Sequence, residues 1–382
     1  REASKDRRAA AVQVRPGRLP RRPLSAIVLA AGEGTRMRSR TPKPLHRLCG
    51  RPMILHVLDT LAELTVDRAV IVVGHGANEV TKILQAEAPP GLALEFVEQP
   101  EQRGTGDAVG VALTGFPESY FDVEEADLVV LPGDTPLVRP ATLAALIRHH
   151  REQDAAATML TAHVDEPFGY SRVLRDKDGA VSRLLDDAAC TSEELEVEEV
   201  ATQIYCFRHN VLAPVLRRVA PDQTTGEYFL TATIEILHDA GYTVTSLLAV
   251  DPMEAAGVND RAQLAAADAE LRSRINERFM RGGVTMADPE ATYIDVSVVL
   301  GSDVTILPGV ILEGTTSIGD NTVLGPDTHL VDCKVGSAAR IERSVGELAI
   351  VGDNAFVGPF SVLEPGSRLA PGTRVGPFFG RA

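Results

Sequence analysis

The sequence predicts an α/β domain with a mostly parallel sheet, followed by a parallel β-helix. Two observations lead to this prediction. Between Ser25 and about Ala162, short apolar runs alternate with segments of helical periodicity, which is the βα repeat of a parallel sheet. Beyond about residue 284, aliphatic residues recur at six-residue intervals, which is typical of a parallel β-helix. The length of 382 residues suits two to three domains at roughly 100–200 residues each.

The first domain is predicted to be a series of strands joined by helical crossovers. In the first helix, Pro52 suits the first helical position, and apolar residues follow it at the spacing of one buried stripe. Such crossovers place helices on both faces of the sheet, and ligands then bind beyond the carboxyl ends of the strands. The predicted strands are 25–30, 69–73, 94–97, 127–131 and 155–162, and the predicted helices are 52–64, 77–87, 106–113 and 140–150.

A mixed region and one long helix come next. Residues 169–256 combine apolar segments with acidic runs, which predict solvated loops. Asp260 suits a helix N-cap, and Gly282 with Gly283 suits the end of the same helix. We therefore expect a disordered basic extension at 1–24, the α/β domain at 25–260, a linker helix at 261–283 and the β-helix at 284–382.

The six-residue repeat occurs in two runs separated by one shift of phase. Each repeat is expected to form one flat side of a triangular coil, with its aliphatic residue pointing to the coil axis. The aliphatic positions are Ile294, Leu300, Ile306, Leu312, Ile318, Leu324 and Leu330 in the first run, and Val345, Val351, Val357, Leu363, Leu369 and Val375 in the second.

Charge and composition exclude several classes of protein. The net charge is −15, and the first 23 residues carry eight basic and two acidic residues, so a net +6 there leaves −21 for the rest. An acidic body argues against nucleic acid as a partner, and no apolar run is long enough to cross a membrane. The four cysteines form no metal or disulfide motif, which indicates a reducing, cytoplasmic location.

A glycine-rich turn after the first strand predicts a phosphate site. Gly32 and Gly34 allow a tight turn whose amide groups can face a polyphosphate, and Arg36 and Lys43 supply positive charge. The turn matches neither the P-loop nor the dinucleotide-binding pattern. The alternative for Lys43 is a solvated surface charge.

At this turn the sequence resembles the bifunctional N-acetylglucosamine-1-phosphate uridylyltransferase/glucosamine-1-phosphate acetyltransferase family. The resemblance covers about residues 24–376 and implies a Rossmann-like nucleotidyltransferase domain and a left-handed β-helix. Besides LAAGEGTRMRSRTPKPLHRLCGRPM, the matching motifs are Gly74-His75-Gly76, Gln99 with Gln102-Arg103-Gly104-Thr105-Gly106, Pro132-Gly133-Asp134, Phe168-Gly169-Tyr170, Gly226-Glu227-Tyr228 and Gly257-Val258-Asn259.

The resemblance implies a role for each motif. Gln99, Gly104 and Thr105 correspond to the uracil-reading positions. Asp134 and Asn259 correspond to ligands of Mg²⁺, and hard oxygen donors suit that ion. Taken alone, Asp134 would more often be a helix or turn cap, and Asn259 would more often be the start of the following helix. The remaining nucleotide-binding positions are Leu29, Ala30, Ala31, Gly32 and Gly133.

The implied reaction is attack of a sugar 1-phosphate oxygen on the α-phosphorus of UTP, with release of pyrophosphate. A phosphate is already ionised, so no protein base is required, and His75 is interpreted as structural. Catalysis would then consist of positioning and of charge neutralisation by Mg²⁺, Lys43 and Arg36.

The chain departs from the family at the sugar side. Ser171 stands where the family has Gly, Asp186 where it has Glu, and Ala201 where it has the Asn expected to contact the sugar. N-acetylglucosamine 1-phosphate is the expected acceptor. Two alternatives remain open: another sugar 1-phosphate, or a non-catalytic paralogue that binds a nucleotide sugar.

The β-helix departs further. Glu364 replaces the family's Arg in an LRPG coil, which reverses the charge where a phosphosugar would bind, and the sequence ends at Ala382, before the expected acetyltransferase residues. We therefore expect no acetyltransferase activity. The coils can still stack, so a homotrimer is expected, as in this family.

Overall fold

The computed structural model describes residues 22–117, 120, 125–164, 170–186 and 189–380. The predicted basic extension at 1–24 lies almost entirely outside the described residues. Phe168 and Gly169, from one of the motifs above, also lie outside them.

The first part of the chain forms a mixed, mostly parallel sheet. The order of its main strands is β11-β7-β10-β6-β1-β4-β5, and the hairpin β8-β9 pairs with β10. Strand β10 is antiparallel to both β6 and β7, whereas β1, β4, β5 and β6 are mutually parallel. The strands are β1 (Leu24–Ala30), β4 (Arg68–Val73), β5 (Leu94–Glu98), β6 (Asp127–Pro132), β7 (Ala157–His163), β8 (Arg172–Arg175), β9 (Val181–Leu185), β10 (Glu199–Arg208) and β11 (Val244–Leu248); a separate hairpin is formed by β2 (Arg47–Leu48) and β3 (Arg51–Pro52).

Helices cover both faces of this sheet and create two hydrophobic cores. The helices α1, α2 and α4 pack on one face, and α3, α5 and α6 pack on the other. The apolar stripe predicted in the first helix is buried except at Leu64, which is partly buried, and the helix spans Met53–Glu63 rather than 52–64. The helices are α1 (Met53–Glu63), α2 (Ala77–Glu87), α3 (Thr105–Ala112), α4 (Pro140–Glu152), α5 (His209–Leu216), α6 (Ala232–Asp239) and α7 (Arg261–Arg281).

Helix α7 connects the two parts of the molecule. The Asp260 carboxylate accepts a hydrogen bond from the amide of Gln263 at 2.9 Å, so it caps the helix as the sequence predicts. At the other end, Gly282 is the C-cap residue and Gly283 has a φ of 98°. Leu264 packs with the α/β domain and Ile275 packs inside the β-helix, so one helix is anchored in both cores.

The remainder of the chain is a left-handed parallel β-helix with three faces. Strands from successive turns pair in parallel on each face, and the aliphatic residues between them fill the axis. The first face contains Thr285–Met286, Thr305–Ile306, Val323–Leu324, Arg340–Ile341, Phe356–Val357 and Arg374–Val375; the second contains Tyr293–Ile294, Ile311–Glu313, His329–Val331, Val345–Glu347 and Val362–Leu363; the third contains Val299–Leu300, Ser317–Ile318, Lys334–Val335, Ile350–Val351 and Arg368–Leu369.

The prediction that Val345 faces inward is wrong. Val345 is 49% exposed, and Gly346 takes the inward position between Leu330 and Leu363 in the ladder. A Cβ at Gly346 would lie only 3.0 Å from the Leu330 side chain. The large Leu330 side chain therefore fills the space that an inward aliphatic residue would need at this level.

The predicted single shift of phase is spread over three sides of the coil. The steps from Leu330 to Val335, from Ile341 to Gly346 and from Gly346 to Val351 are each five residues long, because the paired residues of neighbouring coils fix these positions inward. After Val351 the sides return to six residues. No helix in the described part of the chain is long and apolar enough to cross a membrane.

Candidate active site

The candidate phosphate-binding and metal-binding residues meet at the carboxyl ends of β1 and β6, at the centre of the sheet. The amide of Gly133 donates to the carbonyl of Leu29 at 2.8 Å, which holds the two loops together where the strands end. Asp134 follows directly, and its carbonyl accepts the amide of Val258 at 2.9 Å. The sheet topology therefore brings three distant segments to one edge, as parallel α/β sheets do at their ligand sites.

The glycine-rich turn is built around the Lys43 side chain. Gly34 has a φ of 64°, and a Cβ at this position would lie 2.6 Å from Cβ of Lys43. Only glycine lets the turn and the lysine approach this closely. Gly32, by contrast, lies where a Cβ would meet no atom within 4 Å, so its backbone borders open space.

Lys43 lies between two side-chain oxygens that accept hydrogen bonds from it. Its Nζ donates to Oδ2 of Asp134 in a short ion pair and to Oδ1 of Asn259 at 3.0 Å. Arg36 Nη2 donates to the same Asn259 oxygen at 3.0 Å. The Lys43 side chain is 13% exposed and that of Asp134 is 25% exposed, so the cluster opens to solvent on one side. Two cations and two oxygen donors thus form one contact group.

The donor set at this cluster suits a magnesium ion. Asp134 offers a carboxylate and Asn259 an amide oxygen, and both lie within hydrogen-bonding reach of one Lys43 atom. Among the described residues, no group of three or more His, Cys, Asp or Glu side chains could hold a metal ion by itself. Magnesium commonly binds through one or two protein oxygens, with water and substrate phosphates as its other ligands.

The base-side residues form a second group beside the turn. Gln99 is 4% exposed, and its Nε2 donates to Asp107 Oδ2 at 2.8 Å and to the carbonyl of Gly104 at 3.3 Å. Gly104 has a φ of 96°, and a Cβ there would lie 2.6 Å from the Tyr228 carbonyl. The Thr105 hydroxyl accepts the amide of Leu230 at 3.0 Å, so it fixes the start of α3.

One residue of this region received no role from the sequence. The side-chain amide of Gln102 donates to the carbonyl of Ala31 at 2.8 Å. It thereby joins the base-side loop to the glycine-rich turn that follows Ala30. The motif around Gln102 was the available signal, but a contact across 71 residues of chain is visible only in the fold.

The sugar-side residues form a third group. The Ser171 hydroxyl donates to Asp186 Oδ1, and the Ser171 carbonyl accepts the amide of Ala201 at 2.9 Å. Ala201 is 2% exposed and Asp186 is exposed. Strand β10 shifts register between Ala201 and Tyr205, with Gln203 at a φ of 64°. No hydrogen bond among the described residues joins this group to Lys43 or Asp134.

Tyr205 lies fully buried close to the sugar-side group. Burial raises the pKa of its hydroxyl, and the nearby negative charge of Asp186 raises it further. A tyrosine with a raised pKa stays neutral at physiological pH, so it contributes a dipole and no charge.

Comparison with known proteins agrees with this arrangement. Residues 26–234 match the MobA-like NTP transferase domain. The protein called "Bifunctional protein GlmU" from Exiguobacterium sibiricum is 42% identical to the chain, and the match covers 84% of the chain and 69% of the relative. The protein of the same name from Thermobifida fusca is also 42% identical, and that match covers 86% of the chain and 67% of the relative. The protein of the same name from Bacillus velezensis is 40% identical, over 84% of the chain and 68% of the relative. The chain belongs to the GlmU family.

Membership of the GlmU family shows that this chain is an enzyme of nucleotidyl transfer. The match to the NTP transferase domain spans the glycine-rich turn, Lys43, Gln99 and Asp134. It ends before Asn259, which the fold nevertheless brings to Lys43. The matches to the GlmU relatives span 320 and 331 residues, which is more than the α/β domain holds, so they include part of the β-helix.

Proposed function

We propose that this chain transfers UMP from UTP to N-acetylglucosamine 1-phosphate, giving UDP-N-acetylglucosamine and pyrophosphate. The observation that carries the proposal is the convergence of Arg36, Lys43, Asp134 and Asn259 at the carboxyl edge of the sheet. Two cations beside two magnesium-type oxygen donors suit a triphosphate, which the acidic body of the protein would otherwise repel.

The chemistry requires positioning and charge neutralisation. An ionised oxygen of the sugar phosphate attacks the α-phosphorus of UTP, the bond from that phosphorus to the bridging oxygen breaks, and pyrophosphate leaves with the electron pair. Lys43 and Arg36 offset the negative charge that develops on the phosphate oxygens. No residue needs to remove a proton, and the exposed His75 is therefore left without a chemical role.

Asp134 and Asn259 are the residues that would hold Mg²⁺. When bound, this ion supplies Lewis-acid neutralisation of phosphate charge. Lys43 contacts both of these residues, so its charge lies at the place where phosphate charge would gather. Leu29, Ala30, Ala31, Gly32 and Gly133 form the adjoining backbone.

A second candidate acceptor is another sugar 1-phosphate. Ala201 has no polar side chain, and the Ser171 hydroxyl is already bonded to Asp186, so the sugar-side group offers fewer free hydrogen-bonding atoms than an Asn and a free Glu would. A non-catalytic paralogue is disfavoured, because Arg36, Lys43, Asp134 and Asn259 are all present.

The β-helix is proposed to be an assembly module that forms a homotrimer. On its second face, one outward column is largely apolar and runs through successive paired strands. The column consists of Tyr293, Ile311, His329, Val345 and Val362. Glu364 is exposed and negative, so we propose that this coil binds no phosphosugar and that acetyl transfer is absent. All four cysteines are free thiols, in keeping with a cytoplasmic enzyme.

The test is pyrophosphate release from UTP and Mg²⁺ with a panel of sugar 1-phosphates. N-acetylglucosamine 1-phosphate is expected to give the highest kcat/KM. A different preferred sugar would establish the second candidate. Absence of release with every sugar would favour the non-catalytic alternative. Thiol release from acetyl-CoA with glucosamine 1-phosphate, measured on the same preparation, is expected to stay at background.

A further inference from the structure

The orientation of the Gln99 side-chain amide is fixed by two acceptors. Its Nε2 donates to Asp107 Oδ2 at 2.8 Å and to the Gly104 carbonyl at 3.3 Å. An ionised carboxylate and a carbonyl can only accept hydrogen bonds. A flipped amide would turn its own oxygen toward both acceptors, so the chemistry of the partners sets the orientation.

This arrangement leaves one polar atom of the Gln99 side chain for a ligand. The amide nitrogen has two hydrogens, and Asp107 and Gly104 take both. The remaining atom is Oε1, which is an acceptor only. Gln99 as a whole is only 4% exposed, so a base that lies against it would displace water from Oε1 and would have to supply a matching donor.

We propose that Asp107 is a positioning residue that makes the site accept uracil and reject cytosine. The inference rests on the proposed function, in which Gln99 reads the base. Uracil carries a hydrogen on N3 and can donate it to Oε1 of Gln99. Cytosine has an unprotonated N3, which would place two acceptors against each other in a buried site. Asp107 keeps the amide from turning its nitrogen toward the base.

A simpler role for Asp107 must be separated from this one. Asp107 lies in the first turn of α3, whose N-cap Gly104 provides no side-chain cap, and an acidic residue there stabilises the helix dipole. That role would affect the stability of the protein, and it would change the binding of all nucleotides to the same extent. Glu79 occupies the corresponding first turn of α2 and is exposed, so Glu79→Gln is a matched control.

The experiment measures the Kd of UTP and of CTP and the kcat/KM of each with the preferred sugar 1-phosphate. Wild-type protein is expected to favour UTP by at least about tenfold. Asp107→Asn can donate to Oε1 and so permits the flipped amide, and Asp107→Ala removes the shorter of the two bonds and leaves only the 3.3 Å bond to the Gly104 carbonyl. In both variants the UTP/CTP ratio should fall by about tenfold, mainly through gained CTP binding, whereas Glu79→Gln should keep the wild-type ratio.

Several outcomes would overturn the proposal. A wild-type protein that binds UTP and CTP equally, or a ratio that stays within twofold in both Asp107 variants, removes the basis for the positioning role. An equal change in Glu79→Gln would reduce the effect to helix stability. Binding remains measurable if no sugar is turned over, so failure of the proposed reaction is distinguishable from failure of this inference. Asp107→Asn is nearly isosteric, which keeps the test available if Asp107→Ala does not fold.

Discussion

At the scale of single residues, Lys43 organises the candidate site. It contacts Asp134 and Asn259 while its own side chain lies against Gly34. A flexible lysine is usually a poor positioning device, because ordering its side chain costs up to about 2 kcal/mol of entropy. Here the turn and the two oxygen donors restrict it, so the charge is in place before substrate arrives.

Removing this charge should affect turnover more than binding. Lys43→Ala is expected to lower kcat about 10²- to 10³-fold with a small change in the KM for UTP, because the charge opposite it grows toward the transition state. Steady-state kinetics of pyrophosphate release measures this. Lys82→Ala, an exposed lysine on α2, should behave as wild type. Unchanged turnover in Lys43→Ala would make Lys43 a surface charge.

A second residue-scale prediction concerns Asp127, which is fully buried at the opposite end of β6. Burial alone would raise its pKa, but the close approach of His150, 3.6 Å away, and the hydrogen-bonded Arg151 guanidinium outweigh burial, and the pKa of Asp127 is lowered. A lowered carboxyl pKa stabilises the folded state above the unfolded pKa of about 3.9, and this stabilisation is lost as pH falls through the lower folded value.

Asp127→Asn is therefore expected to destabilise the protein by about 3 kcal/mol at pH 7, because Arg151 loses its buried partner. The difference from wild type should shrink below about pH 4. Urea unfolding at several pH values measures both effects. Asp178→Asn, at an exposed turn position, serves as the control. A difference that persists undiminished at low pH would contradict the assignment.

The sequence indicated the candidate residues but not how they meet. Gly34, Lys43 and Asp134 lie in local runs with recognisable spacing, so motif reasoning could find them. The hydrogen bond from Lys43 to Asn259 spans 216 residues and depends on where α7 begins. The bond from Asp107 to Gln99 could not be predicted either, because no motif specifies which way a side-chain amide points.

At the scale of elements, the hairpin β2-β3 links the loop that carries Lys43 to the rest of the molecule. It begins four residues after Lys43. The amide of Cys49 donates to Asp268 of α7 at 2.9 Å, and the carbonyl of Cys49 accepts the amide of Val296 from the β-helix at 3.1 Å. Leu48 is fully buried beside α7. The loop that carries Lys43 is therefore anchored, through this hairpin, to α7 and to the β-helix.

Loosening this attachment should impair catalysis without touching the substrate site. Asp268→Ala is expected to lower kcat about three- to tenfold, less than Lys43→Ala does, and to speed hydrogen exchange of the Cys49 amide. Glu277→Ala removes an exposed acidic residue of the same helix and is the matched control. Wild-type turnover together with fast exchange would show that the hairpin contact does not position Lys43.

Element prediction succeeded where periodicity was regular and failed where packing changed the period. Helices α2 and α7 begin and end where the sequence pattern indicated. In the β-helix, Val345 fits the spacing of its run but faces outward, because the short sides after Leu330 place Gly346 inward instead. A repeat identifies the fold, whereas the volume of the neighbouring coil decides which residue points inward.

At the scale of the whole molecule, the outward column of the second β-helix face is the proposed surface between copies. Val345 is 49% exposed in this column, and Val299, on the third face, is 62% exposed. These two exposed valines lie on different faces of the same coil, so one can be substituted as the test and the other as its control. An exposed apolar column along a β-helix is a surface that a second copy can cover.

Val345→Lys is expected to weaken the trimer, with a shift toward monomer at micromolar concentration, because a charge would be buried without a partner. Val299→Lys should leave the assembly unchanged. Light scattering across a dilution series measures the state of each variant. Equal behaviour of the two variants, or a wild-type protein that is monomeric throughout, would place the interface elsewhere.

The central proposal for this protein is magnesium-assisted nucleotidyl transfer at the Lys43 cluster. Its most direct test is the rate of pyrophosphate release by Asp134→Asn and by wild-type protein, with UTP, N-acetylglucosamine 1-phosphate and increasing Mg²⁺. We predict Mg²⁺-dependent release by the wild-type protein and a loss of at least about 10²-fold in the variant, because an amide cannot replace the carboxylate charge. A variant as active as wild type, at the same Mg²⁺ requirement, would contradict the account.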